Sequence, residues 1–293
     1  MKITGFGEIL WDTFPDGKIL GGAPLNVLYR LQSLGMDTAI ISSRGNDGDG
    51  EELVRQIQQK NIVSDFVQIH PDYPTSQVKV SLNAQGSASY EIVYPCAWDG
   101  IRTEEAALHR VAQSDAFIFG SLAMRDETSR KTLNSLLQQA KFKIFDVNLR
   151  KPHYDASLIL ETMKQADVVK LNDDELYELS KIYGSPYHSL EQNIVYLAKL
   201  TDTDTLCVTL GSHGAVLYKN GEFFRHGGFK IEVADTVGSG DSFLGGLIYQ
   251  LLNRAEPQYA LAFSCALGAL VASEHGATPE ISPERIGRFM NPV

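Results

Sequence analysis

The sequence has little cysteine, no long apolar run and no concentration of positive charge, and each shortage argues against a class of protein. Three cysteines (Cys96, Cys207, Cys265) lie far apart in 293 residues, so neither a disulfide framework nor a C-x-x-C site is visible. The seven histidines are scattered, without H-E-x-x-H or paired ligand spacing, which argues against zinc. No apolar stretch approaches a membrane span, and the N-terminal residues enter a strand pattern without a signal-peptide profile. A reducing cytoplasm is the expected location. With 26 Lys and Arg against 36 Asp and Glu, the net charge of −10 argues against nucleic-acid and membrane-surface partners, which need clustered cations. Any bound polyphosphate must therefore be neutralised locally, by backbone amides, a few cations and Mg²⁺. G-x-x-x-x-G-K-[ST], H-R-D and D-F-G are all missing, so the chain is neither a P-loop enzyme nor a protein kinase. Gly5-Phe6-Gly7 lacks the third glycine and the helix start of a dinucleotide fingerprint, which weakens a dehydrogenase reading.

What is present is an ordinary globular composition, 43% hydrophobic and 21% charged, on a chain long enough to bury a large core. Residues 2–10 read as a buried strand and 18–20 as a short one. Gly21-Gly22-Ala23-Pro24 opens a helix in which Val27, Leu28, Leu31 and Leu34 recur at helical spacing until Gly35. A strand at 38–42 and a helix at 51–60 continue the βα rhythm. It breaks at 75–94, where alternating segments at 77–82 and 88–94 flank a turn at 83–86 and read as a hairpin. With residues 12–20, the segment 75–97 predicts a small sheet projecting from the main body, where a lid could be built. Helices at 103–112, 127–140, 156–165, from 173, and 189–200 then alternate with strands at 115–119, 143–147, 167–171 and 205–210. Strands at 215–219 and 222–226 and helices at 240–253, 257–273 and 283–290 complete the chain. The expectation is one α/β domain over 1–293, a doubly wound, mostly parallel sheet flanked by helices, with ligands at the carboxyl ends of its strands.

Five stretches carry chemistry. In Asp235-Thr236-Val237-Gly238-Ser239-Gly240-Asp241 a glycine-rich turn delivers a carboxylate onto the first turn of an apolar helix. Gly238 and Gly240 permit backbone conformations closed to other residues. The amides of Gly238, Ser239 and Gly240 can line an anion site reinforced by the helix N-terminus, with Asp241 beside it as a base. Taken alone, the same residues also make an ordinary capped βα loop. Gly21-Gly22-Ala23-Pro24-Leu25-Asn26 lets a ligand approach the backbone at Gly22 and aims the Asn26 amide at hydroxyls, or is simply a loop-to-helix junction. Asp12 could accept hydrogen bonds from a sugar, or be a solvated turn residue. Phe145-Asp146-Val147-Asn148-Leu149-Arg150 places Asp146, Asn148 and Arg150 on one side of a strand end, where the Arg150 fork could hold a substrate oxygen or a phosphate. Asn172 and Glu175 have capping-box spacing, and from the residues alone the cap is preferred over a role in organising water around Mg²⁺. Thr209, Gly211 and Gly214 form a tight turn at a strand end, suited either to a nucleotide or to a hairpin.

In this order the motifs resemble those of the ribokinase-like (PfkB) carbohydrate kinases along essentially the whole chain. The supporting residues are Gly7-Glu8 with Asp12, Gly-Gly-Ala-Pro-Leu-Asn, Tyr90-Glu91-Ile92 leading to Ala97-Trp98-Asp99, Asp146 to Arg150, Lys-Leu-Asn-Asp-Asp-Glu and Asp-Thr-Val-Gly-Ser-Gly-Asp. They are most similar to bacterial fructokinases. The resemblance implies the ribokinase-like fold and ATP:sugar phosphotransfer, with Asp241 as base and Gly238, Ser239 and Gly240 as anion hole. It implies sugar contacts at Asp12, Gly22, Asn26, Asn148 and Tyr90, with Arg150 on the sugar or the transferring phosphate. The nucleotide side falls on Thr209, Gly211 and Gly214. Asn172 and Glu175 match the family's Mg²⁺–phosphate motif, Glu175 acting through water, which reverses the preference for a cap. A monovalent cation such as K⁺ near Asp235 and the Gly276-Ala277 loop, and a homodimer through the lid, are further implications. Ser239 departs from the family's usual Ala. Fructose is the leading substrate; 2-keto-3-deoxygluconate, a nucleoside, or a non-catalytic sugar- or nucleotide-binding sensor are the alternatives.

Overall fold

The computed structural model of the chain describes residues 1–14, 17–82 and 88–291, and for residues 79–82 and 88–90 the backbone only. The expected turn at 83–86 lies outside the described residues. The first half of the chain forms β1 (Lys2–Phe6), β2 (Leu10–Phe14), β3 (Gly17–Gly21), α1 (Ala23–Ser33), β4 (Asp37–Gly45), α2 (Gly48–Gln59), β5 (Val67–His70), β6 (Gln77–Leu82), β7 (Ala88–Ile92), α3 (Glu105–Gln113), β8 (Ala116–Gly120) and α4 (Glu127–Leu137). The second half forms β9 (Lys143–Asp146), α5 (Ala156–Met163), β10 (Val168–Asn172), α6 (Asp173–Ile182), α7 (Leu190–Thr201), β11 (Thr205–Thr209), β12 (Ala215–Lys219), β13 (Glu222–His226), α8 (Ser239–Leu252), α9 (Pro257–Ala272) and α10 (Pro283–Met290).

Among the described residues nine strands make the main sheet, in the order β13-β12-β11-β10-β9-β8-β1-β4-β5. Pairing is parallel from β11 through to β5, and antiparallel where β12 and β13 join. From β1 the chain builds β4 and β5 outward on one side, then returns to fill β8 through β11 on the other. The order therefore reverses between β1 and β8, and at such a switch point a crevice opens at the carboxyl ends of the strands.

The strands are apolar on both sides because helices cover both faces. Along β8, Phe117 and Phe119 pack with Leu133 and Leu136 of α4 and Leu176 of α6 in one core cluster. Their neighbours Ala116 and Ile118 belong to the opposite one, with Leu28 and Leu31 of α1 and Leu244 and Ile248 of α8. The helix that carries Asp241 is thus anchored to the sheet by its apolar face. Among the described residues no helix is long and apolar enough to cross a membrane.

A separate four-stranded sheet, ordered β3-β2-β6-β7, assembles from the two expected segments. Here the structure differs from the expectation of one strand over 2–10. The main-sheet strand ends where the Gly7 amide bonds the Ile41 carbonyl, and a new strand begins where the Trp11 amide bonds Ser76. Asp12 consequently lies within β2, opposite Ile19 and Val78, instead of in a turn. The short strand β5, paired beside β4, was not expected: four residues carry too little periodicity to register.

Candidate active site

The turn into α8 is built on Gly238, whose φ of 72° is left-handed and whose absent side chain leaves room for the Ala277 backbone. No side chain caps this helix, whereas Asp47, Asp126, Asp155, Asn172, Ser189 and Ser282 each cap one of the others. The Ser239 amide donates to the Thr236 carbonyl at 3.3 Å, closing the turn. That removes it from the expected trio of donors. Among the described residues the amides of Gly238, Gly240 and Asp241 have no protein acceptor, and orphan N–H groups at a helix N-terminus form an anion cradle. Gly240 also differs from expectation. It is the second residue of the helix, so its contribution is a missing side chain and not an unusual backbone angle. The Ser239 hydroxyl donates to the Gly268 carbonyl at 3.0 Å, which occupies it with α9.

Asp241 is held from the neighbouring helix α1. The Asn26 side-chain amide donates to its Oδ2 at 2.8 Å. Asn26 sits in the first turns of α1, which starts after Gly22; a side chain at Gly22, where φ is 123°, would strike the Glu8 carbonyl. Glu8 Oε1 accepts the Ala23 amide at 3.2 Å, while its buried Oε2 has no partner among the described residues. Arg150 is exposed, and its charge acts on Glu8, Asp12 and Asp241 alike. Five of the expected residues, Asp12, Gly22, Asn26, Arg150 and Asp241, thus gather at one mouth. Glu8 joins them; the Gly7-Glu8 pair was its only signal in the sequence.

Burial, and then the Asp146 charge, push the Asp241 carboxyl up to about 6, against the Asn26 hydrogen bond and the charges of Lys170 and Arg150. Burial likewise raises Asp12 to about 6, with Arg150 opposing, and raises Glu8 to about 7. A base acts only when deprotonated, so turnover that depends on Asp241 is lost as pH falls through its folded value. The expected kcat/KM is level above about 6 and declines towards roughly tenfold per pH unit below it. A kcat/KM unchanged down to about pH 5 would exclude a titrating base of this kind.

Beyond β9 the alternating pattern fails. The strand ends at Asp146. Asn148 takes a left-handed φ of 39°, and its carbonyl accepts the Ser121 hydroxyl at 3.2 Å. The left-handed Asn148 interrupts the alternation between Asp146 and Arg150, although both charges act on Asp241. Asp146 Oδ1 accepts from Lys170 Nζ at 3.0 Å, because register sets these two residues opposite each other. Asp99 is fully buried and paired with Arg125 at 2.7 Å, a structural role beneath Trp98. The Tyr90 side chain lies outside the described residues.

On the far side of the anion cradle a cavity of about 600 Å³ is lined by Thr209, Gly211, Gly214, Ser239, Gly240 and Phe243 among others. It brings the three expected nucleotide-side residues to the helix N-terminus. Phe229, Cys265 and Gly268, also in its wall, were missed, since they come from three separate segments with no shared motif. Asn172 and Glu175 do form a reciprocal capping box. The Glu175 carboxylate accepts the Leu149 amide at 2.7 Å and the Asn172 amide at 2.9 Å. An anion so oriented fits a hold on the water shell of Mg²⁺ better than direct ligation. Among the described residues no three His, Cys, Asp or Glu side chains form a metal cage. Asp235 accepts the Val237 and Gly276 amides, each at 3.0 Å. It ties together the two loops behind Gly238 and offers an oxygen donor of the type alkali cations take.

A half-buried carboxylate, unpartnered amides and a cavity in this order are groups of the kind that moving a phosphoryl group from a nucleotide to a hydroxyl requires. Comparison with known proteins agrees in class. Residues 16–285 match the pfkB family of carbohydrate kinases, and the chain belongs to that family. It is 28% identical to fructokinase-2 of Zea mays, covering 95% of this chain and 90% of the relative. It is 27% identical to the aminoimidazole riboside kinase of Salmonella typhimurium, covering 99% and 95%. In fold it is similar to the fructokinase of Vibrio cholerae O395, a structure with fructose, ADP and calcium bound, at a TM-score of 0.84, 24% identity and 99% of both chains.

Proposed function

We propose that this pfkB-family sugar kinase uses ATP to phosphorylate a primary hydroxyl, with fructose as substrate and fructose 6-phosphate as product. The observation that carries the reading is Asp241 Oδ2, fixed by Asn26 at 2.8 Å beside three unpartnered amides. Asp12, Asn26, Asn148, Gly22 and Tyr90 bind the sugar, and Arg150 closes on it or on the phosphate in transit. Asp241 accepts the proton of the attacking hydroxyl. The oxygen of that sugar hydroxyl bonds to the γ-phosphorus as the bond to the bridging oxygen breaks and ADP leaves. The Gly238 and Gly240 amides, joined by that of Asp241, stabilise the charge that develops on the phosphoryl oxygens. Thr209, Gly211 and Gly214 line the ATP side. Asn172 and Glu175 would hold a hydrated Mg²⁺, which would neutralise phosphate charge, and Asp235 would hold K⁺. The small sheet acts as the lid. Its exposed Phe14 and Ile19 pair it with a second copy, since an open sheet edge is otherwise a liability.

The similarity to an aminoimidazole riboside kinase supports a second reading, a riboside substrate. A coupled ADP-release assay with Mg²⁺ and K⁺ separates the two across fructose, other ketoses, aldoses, 2-keto-3-deoxygluconate and ribosides. The expected result is the highest kcat/KM with fructose. Preference for a riboside transfers the substrate to the second reading, and no stimulation by any of them removes the kinase reading in favour of a sensor.

A further inference from the structure

The site holds carboxylates at Asp146, Glu175 and Asp241, and of the residues assigned a role so far only the exposed Arg150 is a cation for substrate or phosphate. A nucleoside triphosphate entering a protein of net charge −10 needs a fixed positive group close to the transferring phosphorus. Lys170 is placed to be that group. It is only 7% exposed, on β10 between its register partners Asp146 and Cys207. Its Nζ donates to Asp146 Oδ1 at 3.0 Å, and Asp146 Oδ2 has no partner among the described residues. A Cβ built on Gly240 would stand 3.7 Å from the same Nζ. The ammonium therefore flanks the first turn of α8, next to the unpartnered Gly240 amide. An ammonium has three N–H groups, and Asp146 takes one of them.

We propose that Lys170 is a phosphate-binding cation of the transfer site, presented by Asp146 alongside the Gly240 amide to hold the phosphoryl group that leaves ATP. The inference rests on the kinase reading and adds a residue to it. A methyl group at Gly240 would stand 3.7 Å from the ammonium, so an alanine there would fill space beside it. The alternative is a buried ion pair that only holds β9 to β10, and such pairs can often be replaced by neutral residues together without harm.

The test uses Lys170→Met, Lys170→Arg and the double variant Lys170→Met with Asp146→Asn. The double variant removes the pair without stranding a buried charge, so it keeps the question open if the single Met variant fails to fold. Steady-state kcat is measured with the best sugar of the panel, and binding of ADP and of a non-hydrolysable ATP analogue is measured by calorimetry. Expected are a loss in kcat of about 10²-fold in both Met-containing variants, substantial recovery with Arg, and ADP binding near wild type. The wild-type margin of the ATP analogue over ADP should shrink in the same variants. A double variant with wild-type kcat and an unchanged margin would overturn the inference, leaving the pair structural. If the wild type phosphorylates no sugar, the kinase reading fails by itself. The nucleotide margin still decides the role of Lys170, supporting it if Lys170→Met abolishes the margin and refuting it if the margin persists.

Discussion

Asp241→Asn is expected to lower kcat by about 10²–10⁴-fold, the range for loss of a positioned general base, while sugar and ATP bind nearly as before. Asparagine has almost the same shape and can still meet the Asn26 side chain, so α1 and α8 stay joined there. What it cannot do is take the hydroxyl proton. Calorimetric binding of sugar and nucleotide beside kcat checks both halves, and a wild-type kcat would remove Asp241 as the base. Stability should move the other way. An acid whose folded value is raised from 3.8 to about 6 contributes nothing below its unfolded value, and costs stability increasingly as pH rises through that window. At neutral pH the neutral side chain should therefore stabilise the fold by on the order of 1–3 kcal/mol, read by urea denaturation. Activity lost while stability is gained cannot be attributed to misfolding.

Gly238→Ala is expected to be the most damaging change among the glycines of this turn. A residue with a side chain held at φ 72° pays about 1–2 kcal/mol in backbone energy. The added carbon also meets the Ala277 backbone, which cannot rotate aside as a side chain would. The turn and the Gly276-Ala277 loop must part, and the Asp235 link between them loosens. Losing the cradle geometry is expected to lower kcat by about 10²–10³-fold, comparable with removing an oxyanion donor, together with a lower Tm. Gly240→Ala provides the contrast. Its backbone is helical and the nearest atom to a new Cβ is Lys170 Nζ at 3.7 Å, so folding should survive while turnover falls. Equal loss of Tm in the two variants would show that left-handed geometry is not what Gly238 supplies.

Much of the architecture was legible along the chain because its signals are local. Apolar periodicity separated strands from helices, Pro24 and Gly35 bracketed α1, and the alternating segment at 77–82 announced a second sheet. The ordered motifs also located Asp241, Asn26 and the Gly211 and Gly214 turn at strand ends. The errors of strand extent share one cause, which is that periodicity says nothing of where a strand ends or changes partner. Residues 2–10 read as one buried strand, and every position from Ile3 to Trp11 is indeed buried, yet hydrogen bonding to Ile41 ends one strand and bonding to Ser76 starts another. Beyond β9, the left-handed Asn148 breaks an alternation that holds only while the strand lasts.

By itself the sequence determined the layered α/β class, the second sheet, the location of the glycine turn and the residue types able to hold an anion and accept a proton. Those follow from side-chain chemistry and near-neighbour spacing. Only the tertiary structure decided which of them meet. Asn26 and Asp241 are 215 positions apart and touch because α1 and α8 pack on the same face of the sheet. Lys170 and Asp146 are 24 apart and touch because parallel register sets them side by side. The raised Asp241 carboxyl has the same origin: burial and a neighbouring like charge exist only once the strands and helices have closed around it.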